Sequence, residues 1–294
     1  MTSALRVLAV SDVSLLAMEG GGERVLWEHA SRLLKAGHQV RILSRSPSDR
    51  TPETVERQGI RIRHFPVDRR SLLRFLRTSI FEARRAVAGE LVEGDADVLH
   101  LYQPLSGYGV LGSPLGRRLP SLYTFLSPAA LEYRSRRGMT GYHRRGWAGS
   151  LGMALLWLIE GACLRRATRI HVLSEFSAGQ LRKLYRVPSE RIVKIPGGVE
   201  TDRFEPAADR GRVRDALGLP ARRVLLFTLR NLEARMGLDA LIRAVAILRD
   251  QAAEVLLLIG GAGSLRGDLE ALVASLHLGS HVRFLGFVPE AELP

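Results

Sequence analysis

The stretch RRVLLFTLRNLEARMG, residues 222–237, decides the reading of this chain. Its apolar run at 224–229 is short and continuous, the pattern of a strand buried on both faces. Arg230 and Arg235 follow at once, ahead of a helical pattern over about 238–249. A strand, a basic loop and a helix in that order present a ligand site at the carboxyl end of an open α/β sheet. Just upstream lie IPGGVETDRFEP, residues 195–206, and a short helix. The chain therefore reads as α/β with two Rossmann-like domains. The first covers residues 1–205, a hinge covers 206–220, and the second covers 221–294.

Working outward, short runs rich in Val, Leu and Ile recur at 7–10, 40–43, 60–65, 98–102, 121–125, 170–173 and 192–195. Helical stretches separate them, so strands and helices alternate as in a parallel sheet covered on both sides. The first helix is the clearest, because Val25, Leu26, Ala30, Leu33 and Leu34 fall on one face at a 3.6-residue period. Gly37 ends it in the manner of a left-handed cap. Further helices are expected over 71–90, 149–166 and 174–185, with Ser174 as an N-cap. The second domain shows strands at 224–229, 255–259 and 282–285, with helices near 238–249 and 265–276. A complete doubly wound sheet has about six strands. The expectation is an incomplete second domain.

The 294 residues carry 43 Lys and Arg against 30 Asp and Glu, a net charge of +13. Arginines cluster at 69, 70, 74, 77, 84 and 85, and again at 134, 136, 137, 144 and 145. Nucleic acid, an anionic membrane surface and a plain solvated face compete to explain this charge. Nucleic acid is set aside, because no helix-turn-helix, zinc-ligand or aromatic RNA-binding signature accompanies it. One cysteine, Cys163, gives no internal disulfide framework and fits a reducing compartment. It reads as a small buried residue. The longest apolar run, 151–159, falls short of the about 20 residues a membrane span needs. The expected location is cytoplasmic, with peripheral contact at the inner face of the membrane as an extension of the charge reading.

Three loops carry chemistry. EGGGE, residues 19–23, follows the first strand and opens the first helix. There Gly21 and Gly22 let backbone N–H groups approach an anion at the positive end of the helix. A tight strand-to-helix turn is the plainer reading, but three successive glycines exceed what a turn needs. The spacing is not G-x-G-x-x-G, so a dinucleotide is not expected. Arg230 and Arg235 hold the equivalent place in the second domain, where two guanidiniums would clamp a diphosphate. GGAGSLR, residues 260–266, follows the next strand. Asp95 and Asp97 form a D-x-D, a metal-holding spacing in some sugar-transferring enzymes; lying just before VLHLY, they read as the solvated start of a strand. His100 reads equally as a buried hydrogen-bonded histidine or as a cleft residue.

The motifs GGGERVLWEHASRLLKAGHQVRILS (20–44), DVLHLY (97–102), YTFLSPAALEY (123–133), VLSEFSAGQL (172–181), IPGGVETDRFEP (195–206), LRNLEARMGLDALIRA (229–244), IGGAGSLRGDLEALV (259–273) and VRFLGFVPEAELP (282–294) run in order over nearly the whole length. In this the chain resembles the family 4 retaining glycosyltransferases of GT-B architecture. The resemblance implies that Gly21 and Gly22 approach the donor phosphates and sugar, and that Arg230 and Arg235 neutralise the diphosphate leaving group. It matches Gly261 and Gly263 to the G-x-G-x-L-R loop that binds nucleotide, and places 286–288, with Val288, against the nucleobase. It implies a nucleotide diphosphate sugar as donor, a sugar, lipid or polysaccharide acceptor, and neither cofactor nor metal. Two departures accompany it. Leu126 stands where a histidine commonly lines the donor sugar, and Ala129 stands where tryptophan is usual. The family's Glu-x7-Glu motif, which contacts sugar and ribose, is not among these residues, so no catalytic residue is assigned. Two readings stay open: a sugar transferase expected to be inactive as this shortened chain, and a non-catalytic binding module or half of a split enzyme completed by a partner chain.

Overall fold

The computed structural model describes residues 3–15, 20–47, 53–133, 147–251 and 253–293. These fall into two compact units that part between Gly197 and Gly198.

The first unit is built on an eight-stranded sheet. In chain order its strands are β1 (Arg6–Ser11), β2 (Gln39–Arg45), β3 (Thr54–Arg57), β4 (Ile60–Phe65), β5 (Val98–Leu101), β6 (Ser121–Phe125), β7 (Arg169–Val172) and β8 (Ile192–Lys194). Their order across the sheet is β3-β4-β2-β1-β5-β6-β7-β8. All neighbours run parallel except β3, which pairs antiparallel to β4. β1 sits in the middle because both of its faces are apolar. Val7 and Ala9 enter one core with Leu26, Trp27 and Ala30 of α1 (Gly21–Lys35). Leu8 and Val10 enter the other, against α2 (Leu72–Glu93) and α3 (Pro104–Leu111). A short α4 (Pro114–Arg118), then α5 (Trp147–Arg166) and α6 (Glu175–Tyr185), complete the unit. Each fully buried aliphatic contributes roughly 1.5–3 kcal/mol, so this two-sided burial outweighs any local propensity. Glu90 of α2 is buried on its sheet-facing side and pairs with Arg41 of β2 and Arg63 of β4 at 3.0 and 3.4 Å.

The second unit holds α7 (Arg210–Ala216) and a parallel sheet of β9 (Val224–Leu229), β10 (Val255–Gly260) and β11 (Val282–Gly286), ordered β11-β10-β9. The crossovers are α8 (Leu238–Asp250) and α9 (Arg266–Ser275). Ile242, Val245, Leu269 and Val273 of these helices pack with Val255, Leu257 and Ile259 of the central strand. On the opposite side the strands stay more open: Phe227 is 54 % exposed, Leu285 42 %, and Phe287 beyond β11 79 %.

Most elements match the sequence pattern to within a few residues. Strand β3, which pairs with the expected β4, and helices α3 and α4 are additions that the periodicity did not announce. The D-x-D proves to be a strand-edge clamp. Asp97 accepts from the backbone N and both Nε and Nη2 of Arg6, and Asp95 accepts from Nη1. Those bonds hold the Asp97 carboxyl down near a pKa of about 2.

Candidate functional site

In the first unit the polar groups gather where β1, β5 and β6 end. β1 closes on Ser11 and Asp12, both buried. Asp12 accepts hydrogen bonds from the backbone N–H groups of Leu105 and Ser106 at 2.9 and 2.7 Å, satisfying the start of α3. Burial raises its pKa, partly offset by the charge of Arg45. Gln103, the N-cap of α3, accepts from Ser11 Oγ at 2.8 Å and from Asp12 N at 2.9 Å. Its Nε2 faces Gly22, lying 3.5 Å from where a Cβ there would sit, and Leu126 Cδ1 lies 3.7 Å from the same point. The sequence-derived pair Gly21 and Gly22 therefore forms the first turn of α1, and Gly22 looks onto both Gln103 and Leu126. Gly20 is the N-cap without a side-chain cap, and a Cβ on it would strike the Glu23 carboxylate. That carboxylate is the anion now lying at this helix start, in the place the dipole favours.

Two buried polar groups lie beneath this rim. A row of hydrogen bonds crosses the sheet from Tyr102 through His100, Thr124 and His171 to the Ile195 carbonyl. His29 of α1 joins it through Tyr102 OH at 2.9 Å and stacks 5.6 Å from His100. Burial holds His29 down at about 4 and His100 well below its ordinary value, so these two rings are uncharged near neutrality. His100 is thus a core histidine. The second group is Glu160 of α5, 2 % exposed. It accepts from Tyr185 OH, from Ala129 N at 2.9 Å and from Tyr123 OH at 3.4 Å. Burial pushes its carboxyl up to about 7. Cys163, buried alongside, donates to the Pro104 carbonyl.

In the second unit Arg230 stands directly after β9, with its Nη1 3.9 Å from Met236 Sδ. Arg235 lies in the 3-10 turn Ala234–Met236, its Nε 3.7 Å from Glu233 Oε2. Gly237 in left-handed conformation then starts α8. The arginine loop is fastened to the glycine loop after β10. Arg230 N donates to the Gly260 carbonyl, Leu232 N to the Ala262 carbonyl, and Leu265 N returns to the Leu232 carbonyl. Gly261 has φ +121, and a Cβ there would overlap the Arg230 carbonyl oxygen. A Cβ on Gly263 would lie 2.5 Å from the Leu232 carbonyl oxygen. Gly261 N also donates to the Gly286 carbonyl at 2.6 Å, and Val288 packs against Gly260. The residues Arg230, Gly261, Gly263 and Val288 thus converge in one unit, while Gly22 and Leu126 converge in the other.

Sequence reasoning missed Gln103, Asp12 and Glu160. The only signal for Gln103 was Pro104, which marks the first turn of a helix and makes the preceding residue its cap. Among the described residues no group of His, Cys, Asp and Glu is placed to hold a metal ion, and no helix is long and apolar enough to cross a membrane.

Comparison with known proteins gives the site its context. Residues 19–203 match the family described as Glycosyltransferase Family 4, and residues 209–294 match Glycosyl transferases group 1. A D-inositol 3-phosphate glycosyltransferase of Catenulispora acidiphila is 31 % identical over 95 % of this chain and 68 % of its own length. The GDP-mannose-dependent α-(1-6)-phosphatidylinositol monomannoside mannosyltransferase of Mycolicibacterium smegmatis is 32 % identical over 58 % of this chain and 44 % of its own. This chain therefore spans roughly half to two thirds of the length of such relatives. Among solved structures, sucrose-phosphate synthase from Thermosynechococcus elongatus superposes with a TM-score of 0.75 at 21 % identity, covering 98 % of this chain and 72 % of that one. Anabaena Alr3699/HepE, in complex with UDP and glucose, gives 0.69 at 15 % identity, covering 97 % and 70 %. The fold is GT-B, and the chain belongs to glycosyltransferase family 4.

Proposed function

We propose that this chain binds a nucleotide diphosphate sugar and serves the transfer of its sugar to an acceptor hydroxyl with retention at the anomeric carbon. The observation that carries the reading is the fastening of the Arg230 loop to the Gly261–Gly263 loop, which holds a guanidinium at the carboxyl end of β9. In the proposed step the bond from the anomeric carbon to the diphosphate oxygen breaks and the diphosphate departs with the electron pair. The acceptor oxygen forms the new bond on the same face and gives up its proton to the departing diphosphate oxygen. Arg230 and Arg235 would stabilise the charge developing on the diphosphate. Gly21 and Gly22 would face the donor phosphates, and Val288 the base. No cofactor or metal is assigned to the step.

The names of the relatives support a nucleotide-sugar donor, since one is GDP-mannose-dependent and another protein of this fold is seen with UDP and glucose. The base, the sugar and the acceptor are left to experiment. Binding of UDP and GDP sugars measured by calorimetry is the direct test. Arg230→Ala should lower affinity by about 10- to 100-fold, the cost of losing a charge-assisted hydrogen bond worth roughly 1.5–3 kcal/mol. Unchanged binding in that variant would sink the assignment.

The proposal extends to two finer points. Turnover by these 294 residues alone is expected to be negligible, and a rate comparable to that of the relatives would refute this. The alternative, a binding module or half of a split enzyme, gains support only if nucleotide binds tightly without turnover until a partner chain is added. Contact with an anionic membrane remains a proposal that rests on the net charge of +13. Part of the first arginine cluster is already engaged, because Arg70 and Arg74 turn to Asp68 and Arg69 to the Ser46 carbonyl. The second cluster lies wholly outside the described residues. Flotation equal on neutral and anionic liposomes, and insensitive to salt, would end that proposal.

A further inference from the structure

The loop leaving β6 carries Leu126 to the rim beside Gly22, and what fixes that loop is a side chain from a distant helix. Residues 129–133 are helical, and the first N–H groups of a helix have no partner within it. The backbone N–H of Ala129 donates instead to Glu160 Oε2 at 2.9 Å, across 31 residues of sequence. The same oxygen accepts from Tyr185 OH of α6, and Oε1 faces Tyr123 OH of β6 at 3.4 Å. On the loop itself Ser127 Oγ donates to Glu132 Oε2 at 3.1 Å, and the N–H groups of Leu131 and Glu132 return to the Pro128 carbonyl. The loop is thus internally knit, and its bond to Glu160 ties it to the core. A buried carboxyl is costly to place in an apolar core unless its bonds are made. A side chain of similar length without the carboxyl would pack there at less cost. The geometry gives the carboxyl a task that packing does not.

We propose that Glu160 is a positioning residue, which holds the 126–133 loop through the Ala129 amide and so sets Leu126 at the rim where the sugar is received. The inference rests on the transfer reading above, in which the Gly22 and Leu126 rim lies beside the donor. It assigns Glu160 no contact with substrate. Its two acceptor oxygens serve three donors from three separate segments: the loop, β6 and α6. Either a carboxylate or a side-chain amide can meet that demand, since a glutamine carbonyl can accept from Ala129 N and Tyr185 OH while its NH₂ donates to the Tyr123 oxygen. Alanine meets none of it.

The test pairs amide hydrogen exchange with kinetics. In the parent protein the Ala129 amide should be protected. That protection should be lost in Glu160→Ala and kept in Glu160→Gln, with far-UV circular dichroism checking that each variant is folded. With a completing partner chain and a nucleotide sugar that is then turned over, Glu160→Ala should lower kcat by on the order of 10- to 100-fold through a misplaced rim, with a smaller change in KM, and Glu160→Gln should restore most of it. If Glu160→Ala does not fold, Tyr185→Phe, which removes one of the competing donors, should leave Ala129 protected. An Ala129 amide that exchanges freely in the parent, or stays protected in Glu160→Ala, overturns the proposal. Intact protection with no nucleotide-sugar binding in any protein counts against the transfer reading alone, because the exchange measurement needs no substrate.

Discussion

At the scale of single residues, the glycines of the second unit have a different immediate task from the one their motif suggests. The G-x-G-x-L-R pattern points to nucleotide contact, yet the missing Cβ atoms of Gly261 and Gly263 face the backbone of the arginine loop. Gly261→Ala would force a side chain onto the Arg230 carbonyl at a φ of +121 and should cost roughly 1–3 kcal/mol. Because the strain falls on Arg230, nucleotide affinity should drop nearly as far as in Arg230→Ala, and the double variant should add little, a non-additivity that calorimetry on the four proteins would read. Glu160 gives a second prediction. Its carboxyl titrates near 7 in the fold against 4.5 as a free side chain, with burial as the main cause. The folded state therefore holds this proton more tightly, and stability from this group is full below about pH 4.5 and falls as pH rises through about 7. The loss is on the order of 3 kcal/mol. Asp12 lies in the same core and titrates in the same direction, as do the more weakly acidic Tyr123, Tyr185 and Cys163. Glu160→Gln isolates its own share: its Tm should exceed the parent's at pH 8 and approach it at pH 5. Arg230 was legible in the sequence because its strand and loop are contiguous. Glu160, Asp12 and Gln103 were not, because their partners lie 31, 93 and 92 residues away.

At the scale of elements, periodicity succeeded for the longer helices with one wet face and failed where a helix is buried all round, as in α3, or only five residues long, as in α4. α1 shows its apolar stripe, with Leu26, Trp27 and Ala30 buried and its other side in solvent. α3, PLSGYGVL, is buried nearly all round, so it has no polar face to set a phase. Pro104 after Gln103 and Pro114 after Ser113 were the readable marks of α3 and α4, as first-turn prolines behind caps. β3 was lost for another reason. TVER has little apolar content and lies at the edge of the sheet, where only β4 pairs with it. Its turn is Gln58-Gly59, with φ of 49 and 78, the two positive values that a two-residue type I′ hairpin requires. Asn-Gly would have signalled that turn, whereas glutamine does not. The left-handed conformation is costly for a glutamine and better tolerated by asparagine. Gln58→Asn should therefore raise the stability of the first unit by about 0.5–1 kcal/mol, seen as a higher urea midpoint with unchanged m. A lower midpoint would show that the Gln58 side chain makes contacts that outweigh its backbone strain.

At the scale of the whole chain, motif order carried the family and the charge balance did not. Eight stretches in sequence fit one fold, and the relatives confirm it over 95 % of the chain. A net charge of +13 is compatible with many partners, and local ion pairs such as Arg70–Asp68 and Arg41–Glu90 absorb part of it. What charge can decide is how an anionic ligand responds to salt. Arg230 is solvent-exposed and the Arg235 side chain is about a third exposed, so their pull on a diphosphate is screened once the Debye length falls to a few ångströms. A nucleoside diphosphate at 100 times its Kd should raise the stability of the binding state by about 2.7 kcal/mol. The resulting rise in Tm should shrink steadily between about 0.05 and 1 M NaCl, since the Debye length falls roughly from 14 to 3 Å over that range. Arg230→Ala should weaken the rise at every salt concentration. Arg235→Ala should do so less, because Arg235 already shares its charge with Glu233. If the rise persists undiminished in high salt and in the double variant, the diphosphate is held by backbone amides at a helix start, and the guanidinium pair is no part of its binding.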